Sequence, residues 1–355
     1  MLLAAAPLSR AVAAIVAAGG SDARESALVA ENLVAANLAG HDSHGIGMVP
    51  RYVAALREGG LKPNRRARVT ADAGALLALD GESGYGQSVG LEATELAIGR
   101  ARREGCCVMA LANAHHLGRV GHFAERAASE GLVSIHFVNV ISYGRVAPFG
   151  GTDGRFGTNP CTIAVPLPGE PAFLLDFATS AVAQGKLRVA HNKREKVAPG
   201  LLIDTEGAPT TDPRFAVVPP FGAMLPFGLH KGYGLAVACE LLGGALSGGG
   251  TFRGEKAGKQ RVLNGMLTVL IDPARLGTAE SFAREARAYL DWLRRSPPAP
   301  GFDKVRIAGE PEREMRARRE REGIPVDAET WREILSAAES LGLAPDAIER
   351  LGRGA

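Results

Sequence analysis

The fold class follows from residues 106–140, which read CCVMALANAHHLGRVGHFAERAASEGLVSIHFVNV. The nearly continuous apolar run at 106–112 is typical of a buried strand. An amphipathic segment at 121–130 predicts a helix, and the apolar run at 132–140 predicts a second strand. Strand, helix and strand in this order predict a crossover between parallel strands. We therefore expect an α/β protein whose sheet is at least partly parallel.

Helices are predicted at both ends of the chain. The first 70 residues read as helical, and Asp22 with Glu25 forms a capping box. Further strands are predicted at 75–79, 161–165, 173–177 and 266–271, and further helices at 87–103, 230–246, 279–294, 311–322, 327–341 and from 345. This order predicts a helical domain from residues 1–74 and 275–355 around an α/β domain of residues 75–274.

Composition excludes several classes of partner. A net charge of +3 and an aromatic content of 5% do not favour a nucleic-acid-binding protein. No apolar run is long enough for a membrane span, and the N-terminal segment predicts a helix rather than a signal peptide. The four cysteines, which lie in apolar surroundings, are typical of free thiols in a reducing compartment. We therefore expect a cytoplasmic protein.

Histidines cluster in two glycine-rich segments. Five of the eight histidines fall between His41 and His122, and histidine gains or loses a proton near neutral pH. If the Ser43 hydroxyl hydrogen-bonds His44, that imidazole can exchange a proton with a carbonyl or hydroxyl oxygen. The alternative is a turn in which His44 only caps helix carbonyls.

The second segment places His115-His116 at the end of a strand and just before a helix. Gly118, Arg119 and Val120 then lie at a helix N-terminus, whose free amides favour an anion such as phosphate. The alternative is a plain turn with one buried histidine, and the residues alone do not choose between the two.

Three more segments carry candidate ligand groups. The loops at 147–153 and 156–160, the latter with Asn159, are rich in glycine and proline and are typical of binding loops. Thr179 and Ser180 follow a strand, where they are predicted to cap the next helix. His230 and Lys231 open another helix and favour a phosphate. Together these segments predict several loops around one cleft.

Other kinds of site are disfavoured by the sequence. No carboxylate or cysteine lies at a metal-ligand spacing from the histidines, so no metal site is expected. The segment 84–90 misses the dinucleotide-binding glycine fingerprint by one position. No nucleophile elbow supports a Ser-His hydrolase, and a non-enzymatic binding module would leave the clustered histidines unexplained.

Five motifs in this order and spacing resemble the type-2 malate/L-lactate dehydrogenase family. They are DSHG at 42–45, HHxGRxGHFAE at 115–125, PFGGxDxRFGTNP at 148–160, LDFATSAxAxGKxRVA at 175–190 and HKGYGLAxxCExLxGALSGG at 230–249. The resemblance covers nearly the whole chain, from about residue 8. It implies a mixed-sheet cofactor domain that is not a Rossmann fold, a helical layer built from both termini, and a homodimer.

The resemblance also implies the chemistry. It implies hydride transfer between NAD or NADP and a small-molecule 2-oxo or 2-hydroxy acid of the malate, lactate or aryl-lactate type. A second possibility within the family is reduction of a cyclic imine carboxylate, or oxidation of a ureidoglycolate-type substrate. Direction and cofactor preference stay open.

The resemblance also implies roles for individual residues, at the positions where this sequence matches each family motif. His44, with Ser43 beside it, matches the proton donor of the family, and His116 matches the base assigned in some members. Contacts to the cofactor are implied or suggested for His44, Gly118, Arg119, Val120, Leu174, Leu175, Asp176, Phe177, Ala178, Thr179, Ser180, His230, Lys231, Asn264, Gly309, Glu310, Pro311 and Glu312. Asn159 is a candidate substrate contact.

Two positions depart from the family pattern. Many members carry an arginine four residues after the catalytic histidine to bind the substrate carboxylate, and here that position is Met48. Arg51, Arg119 or Arg155 then becomes the candidate cation. Lys186 stands where some members have an aspartate that relays charge. Because Met48 offers apolar contacts, it favours a bulky apolar 2-oxo acid such as an arylpyruvate.

Overall fold

The computed structural model describes residues 1–254 and 262–354 of the chain. Residues 255–261 and 355, which fall within the predicted domain bounds, lie outside the described residues. The strands are β1 (Leu2–Leu3), β2 (Arg68–Ala73), β3 (Leu76–Asp80), β4 (Cys106–His115), β5 (Val133–Ile141), β6 (Cys161–Leu167), β7 (Glu170–Phe177), β8 (Leu202–Ile203), β9 (Pro209–Thr210), β10 (Ala223–Met224), β11 (Leu263–Ile271) and β12 (Ile324–Pro325). The α-helices are α1 (Ala5–Ala18), α2 (Ala23–Leu38), α3 (Val49–Arg57), α4 (Gly86–Glu104), α5 (Gly121–Ser129), α6 (Gln184–Lys193), α7 (Arg214–Val217), α8 (His230–Cys239), α9 (Ala279–Arg294), α10 (Glu310–Glu322), α11 (Ala328–Glu339) and α12 (Pro345–Arg353).

The central sheet is mixed. Its seven strands lie in the order β2-β3-β4-β11-β5-β6-β7. β3 and β4 are parallel and are joined by α4, whereas the other neighbouring pairs are antiparallel. The expected mixed-sheet α/β fold class is thereby confirmed.

The crossover predicted from residues 106–140 differs in one detail. β4 and β5 run in the same direction and are joined by α5, but β11 lies between them and is antiparallel to both. Leu267 of β11 pairs with Ala110 on one side and with Phe137 on the other. β11 enters the sheet from more than a hundred residues later in the chain, so the local pattern of 106–140 carries no sign of it.

The two ends of the chain share one apolar core. Leu8 of α1, Leu33 of α2, Trp331 of α11 and Ile348 of α12 are all buried in it, and β1 pairs with β12. α9 lies elsewhere, against β6, although it falls within the predicted C-terminal part of the helical domain. The predicted domain bounds themselves stay a prediction.

Four local predictions need correction. The exposed edge strand β2 occupies part of the N-terminal segment predicted as helical. The helix expected at 230–246 is α8 followed by a π-helical turn, Glu240–Leu246. Thr179 and Ser180 do not cap a helix, because α6 begins only at Gln184 after an extended Ala183. Cys106 is exposed rather than buried.

Glycines allow the π-helical turn to approach the sheet closely. A Cβ on Gly243 would lie 2.6 Å from the Phe137 carbonyl oxygen and 2.8 Å from the Asn139 nitrogen. A Cβ on Gly265 of β11 would lie 2.0 Å from the Gly243 carbonyl oxygen. Backbone atoms cannot move aside as a flexible side chain can, so this contact requires glycine.

We predict that Gly243→Ala lowers the free energy of unfolding by about 2–3 kcal/mol, because the added methyl group overpacks against backbone. Gly234→Ala is the matched control, since a Cβ there meets open space on helix α8. It should leave stability unchanged or raise it by up to about 1 kcal/mol. Urea unfolding measures both, and equal effects of the two variants would contradict the packing argument.

Candidate active site

A cleft of about 1450 Å³ contains most of the predicted site residues. Its walls come from the turn after α2, the start of α3, the end of β4, the end of β7 and the start of α10. The volume exceeds the range of about 300–1,000 Å³ that is usual for drug-sized ligands. The cleft therefore has room for a large ligand together with a small one.

The first histidine lies on a 3-10 turn, Asp42–His44, directly after α2. The chain leaves the helix through Gly40, whose φ of 85° lies in the left-handed region that favours glycine. Within the turn, the His44 amide donates to the His41 carbonyl at 2.9 Å. The Ser43 hydroxyl lies 3.0 Å from His44 Nδ1, so the two side chains are hydrogen-bonded as the sequence suggested.

Two residues anchor this turn from outside. Arg319 of α10 is buried and makes two bonds to the Asp42 carboxylate, at 2.6 and 2.9 Å, and a third to the Asn37 carbonyl oxygen. The Asn37 amide donates to Asp42 at 2.6 Å and accepts from the Ile46 backbone at 2.9 Å. A side chain at Gly45 would collide with the Asn37 amide. Both ends of the turn are thus held by Asn37, and its start also by Arg319.

The second histidine, His116, follows β4 and is held by a buried chain of hydrogen bonds. Gln87 Nε2 donates to the Tyr52 oxygen at 2.8 Å, and that oxygen lies 2.8 Å from His116 Nδ1. If the Tyr52 oxygen accepts from Gln87, the Tyr52 hydroxyl can donate to Nδ1, and His116 then carries its proton on Nε2.

The two imidazoles are stacked. Their ring centres lie 5.6 Å apart with an interplanar angle of 11°. Burial, followed by the charge of His41, lowers the pKa of His44 to about 4. Burial, followed by the charge of His44, holds the pKa of His116 well below its ordinary value. Both rings are therefore neutral at pH 7, since protonating either one would place a charge in a poorly hydrated site.

The groups around the two histidines belong to two walls of the cleft. The charges of His41, Asp176 and Arg119 act on His44, and those of His44, His115 and Arg51 act on His116. The wall formed by β7 and the turn before α5 carries Asp176 and Arg119, whereas His116 lies against α3 through its bond to Tyr52.

On the first of these walls, the turn before α5 presents free backbone donors. Gly118 has a φ of 75°, and a Cβ there would lie 2.8 Å from the buried Asn32 amide oxygen. Within residues 1–254 and 262–354, no acceptor bonds to the amides of Gly118, Arg119 and Val120, which all line the cleft. Free amides before a helix are a common site for phosphate groups.

Asp176 lies next to that turn. Its carboxylate accepts from the Gly121 amide at 2.9 Å and from the Thr162 hydroxyl at 2.7 Å. The buried Arg119 guanidinium lies 3.5 Å from Asp176 and bonds to Glu125 at 2.8 and 3.0 Å. The charge of Arg119 is therefore neutralised within the fold and is not free for a ligand.

Comparison with known proteins identifies the family. The sequence profile of the malate/L-lactate dehydrogenases matches residues 3–335. Hydroxycarboxylate dehydrogenase B of Escherichia coli K12 is 45% identical over 333 residues, which are 93% of this chain and 91% of that protein. The chain belongs to the malate/L-lactate dehydrogenase family. Membership makes it an enzyme of the 2-hydroxyacid dehydrogenase class, whose members are typically nicotinamide-dependent.

Solved structures agree with this assignment. An E. coli structure provisionally described as a malate/lactate dehydrogenase has a TM-score of 0.95 at 42% identity and covers 99% of this chain and 98% of that one. Δ1-piperideine-2-carboxylate reductase from Pseudomonas syringae pv. tomato has a TM-score of 0.82 at 29% identity and covers 96% of this chain and 99% of that one. The fold therefore carries more than one related activity.

The cleft of this malate/L-lactate dehydrogenase family member fits a dinucleotide. Besides the free amides, a buried Asn32 amide beneath the Gly118 turn has no hydrogen-bond partner in the described ranges. Predicted cofactor residues that line the cleft are His44, Gly118, Arg119, Val120, Asp176, Phe177, Ala178, Ser180, Asn264, Pro311 and Glu312. Asn264 also accepts the Leu117 amide at 2.9 Å and thereby holds the loop that carries His116.

Other predicted cofactor residues lie outside the cleft wall. His230 and Lys231 are exposed at the start of α8, where the His230 ring contacts Phe149. Glu310 bonds to Arg294 at 2.9 Å. Leu174, Leu175, Thr179 and Gly309 also fall outside the residues that line it.

The predicted substrate residues are similarly divided. Met48 and Arg51 line the cleft, together with Ser43. Asn159 is buried behind the wall, where its amide donates to Glu240 at 2.7 Å and accepts from the Val140 backbone at 3.1 Å. Arg155 is exposed, pairs with Asp153 at 2.8 Å and does not line the cleft.

Sequence reasoning missed the residues that hold the histidines. Tyr52 and Gln87 are polar groups on otherwise apolar helix faces, and that mismatch is the only local sign of a buried role. Asn37 carries no such sign because it lies in an ordinary helical segment, and Arg319 carries none because it is one of many charged residues in α10. In the described ranges no group of three metal-ligating side chains comes together, and no helix has the length and apolarity to cross a membrane.

We predict that Arg319→Gln lowers the free energy of unfolding by about 1–2 kcal/mol, because it leaves Asp42 and the Asn37 carbonyl without a charged donor. The Asp42 side chain is 50% exposed, and water reduces the loss. The matched control is Arg318→Gln on the same helix, whose partner Glu322 is also exposed. Arg318→Gln should lower the free energy of unfolding by less than about 0.5 kcal/mol. Thermal unfolding compares the two, and an equal loss would contradict the anchoring role.

Proposed function

We propose that this enzyme transfers a hydride between NAD or NADP and carbon 2 of a 2-hydroxy or 2-oxo acid of the malate, lactate or aryl-lactate type. The observation that carries the proposal is the pair of stacked, neutral imidazoles in a cleft that also offers free amide donors. Proton exchange at an alcohol oxygen needs such a group.

The bound nicotinamide cofactor supplies the group that accepts or donates the hydride. Gly118, Arg119 and Val120 would hold its phosphates through their backbone amides. Asp176 has lone pairs left after its two bonds and would accept from ribose hydroxyls. Pro311 and Glu312, at the start of α10, would close the same end of the cleft.

His44 is proposed as the general base in oxidation. This role needs the tautomer with a proton on Nδ1, donated to the Ser43 oxygen, so that Nε2 can accept the substrate hydroxyl proton. In reduction His44 would first take up a proton from solvent on Nε2 and then transfer it to the carbonyl oxygen, which leaves the ring neutral again. His116 is proposed as a fixed donor instead, because the Tyr52 hydroxyl occupies its Nδ1 and leaves an N–H on Nε2.

The substrate end of the cleft is proposed to lie beyond His116. Arg51, which acts electrostatically on His116, supplies a positive charge for the substrate carboxylate. Met48 is 6% exposed and lines the cleft with Val138 and Val140. These side chains favour an apolar substituent on carbon 3, as in an arylpyruvate.

Three finer features are part of the same proposal. Lys186 and Arg188 are exposed at the cleft and would suit the 2′-phosphate of NADP. A homodimer is supported by large exposed apolar side chains around α8, among them Leu229 and Leu246. A cytoplasmic location is supported by the free cysteines.

A second candidate is reduction of a cyclic imine carboxylate. It is favoured by the structural similarity to Δ1-piperideine-2-carboxylate reductase. The same histidines would then deliver a proton to an imine nitrogen instead of a carbonyl oxygen, while the carboxylate contact stays the same.

The assay that tests the proposal follows NADH and NADPH absorbance in parallel with a panel of 2-oxo acids and a cyclic imine carboxylate. We predict turnover of 2-oxo acids, with a higher kcat/KM for phenylpyruvate than for oxaloacetate because of the apolar wall at Met48. A preference for oxaloacetate would reject the apolar substrate. Turnover of the imine alone would select the second candidate.

We predict that His44→Gln reduces kcat by about 10²–10⁴-fold, the usual loss for a positioned acid or base, with a smaller effect on cofactor affinity. His116→Gln should reduce kcat less. His122→Gln is the matched control, because His122 is partly buried nearby but does not line the cleft. A nearly normal rate in His44→Gln would move the role of base to His116.

The pH profile gives a second readout of the same prediction. Hydroxy acid oxidation needs neutral His44, and the pKa of His44 is lowered to about 4. The kcat/KM for oxidation should therefore stay level from pH 8 down to about pH 5 and fall only as pH approaches 4. A fall centred at the ordinary histidine pKa near 6.5 would contradict a desolvated base.

A further inference from the structure

The cleft contains an arginine, Arg145, to which the proposed reaction assigns no role. Arg145 lies in the loop after β5 and is partly buried. Its guanidinium carbon is 4.0 Å from the centre of the Phe221 ring and 5.2 Å from that of the Tyr143 ring. Both Arg145 and Tyr143 line the same cleft as the two histidines.

The charge of Arg145 is not neutralised inside the protein. In residues 1–254 and 262–354, neither Arg145 nor Arg51 has a carboxylate partner or a side-chain hydrogen bond, whereas the buried Arg119 and Arg319 each pair with an aspartate. Burial, and further the charge of Arg51, lowers the pKa of Arg145. Arg51 is exposed and its charge is hydrated, whereas Arg145 is partly buried. The burial cost therefore falls on Arg145, and an anion bound beside it would remove that cost.

The aromatic contacts decide what kind of anion fits. The Phe221 and Tyr143 rings hold the guanidinium carbon at 4.0 and 5.2 Å from their centres without taking up its N–H donors, which stay available for an anion. Those N–H groups form a planar fork that matches a carboxylate. Met48 cannot provide this contact, because its side chain is uncharged.

We propose that Arg145, together with Arg51, binds the carboxylate next to the reacting carbon, and that Arg145 is the residue through which the enzyme selects acids over neutral carbonyl compounds. This inference rests on the proposed function. The group that binds the anion then lies on the loop after β5 and not at position 48, four residues after His44, which is occupied by Met48. The fixed guanidinium then orients the carbonyl towards His44 and His116.

The test compares phenylpyruvate with its methyl ester, which has the same ring and carbonyl but no charge. In Arg145→Gln the KM for phenylpyruvate should rise by about 10- to 100-fold, the loss expected for charge-assisted hydrogen bonds. The KM values for the ester and for the cofactor should stay unchanged. Arg145→Lys should recover only part of the affinity, because it keeps the charge and loses the planar fork.

Arg155→Gln is the matched control, since Arg155 is exposed, pairs with Asp153 and does not line the cleft. This variant should leave the KM values for phenylpyruvate and for its methyl ester unchanged. An equal loss for acid and ester in Arg145→Gln would show a merely structural role and overturn the inference. A higher KM for oxaloacetate alone would place the contact at a carboxylate distant from the reacting carbon. A higher KM for NADPH alone would place the contact at the 2′-phosphate. Either result overturns the inference.

A calorimetric titration separates this inference from the proposed function. Phenylpyruvate is titrated into the wild-type protein and Arg145→Gln without turnover. Weaker binding in the variant supports the carboxylate contact even if the wild type reduces no 2-oxo acid, in which case the proposed function alone fails. Equal binding in both proteins, or none in the wild type, overturns the contact itself.

Discussion

The ion pair between Arg319 and Asp42 joins the C-terminal part of the chain to the turn that carries His44, across 277 positions of sequence. Asp42 directly precedes Ser43 and His44, so its position sets the direction in which the turn leaves α2. Asn37 holds the other end of the turn, and Gly45 leaves room for its amide. The helical layer from both termini therefore fixes the geometry of the imidazole, and the rest of the cleft is arranged around it.

The charges in the cleft fall into two groups. Arg119 is bonded to Glu125 and lies beside Asp176, so its charge is used within the fold. Arg51 and Arg145 line the same cleft and have no acidic partner in the described ranges. The imidazoles of His44 and His116 add no charge, because burial disfavours a proton on either ring. A negatively charged group of a ligand can therefore be met by Arg51 and Arg145 but not by Arg119.

Much of the fold was predictable from local patterns. Apolar runs predicted β4, β5 and β11, and the capping pair Asp22 and Glu25 predicted the start of α2, where Asp22 accepts the Glu25 amide. The motifs also predicted Ser43, His44 and the turn at 118–120, which line one cleft. The same reasoning placed His230 at a phosphate; it is exposed at the start of α8, outside this cleft wall, and its role stays a prediction. A helix start is visible in sequence, but the space in front of it is not.

The sequence by itself determined the types of most of the long helices and strands, the mixed α/β class implied by the motifs, and the side chains able to move a proton. Only the tertiary structure decided that β11 separates β4 from β5, that Tyr52 and Gln87 direct His116, and that Arg145 lies unpaired beside aromatic rings. The physical reason is the separation in sequence of the residues that determine each feature. Periodicity and capping depend on residues within a turn or two, whereas burial, hydrogen-bond partners and charge pairing depend on residues that meet only after the chain has folded.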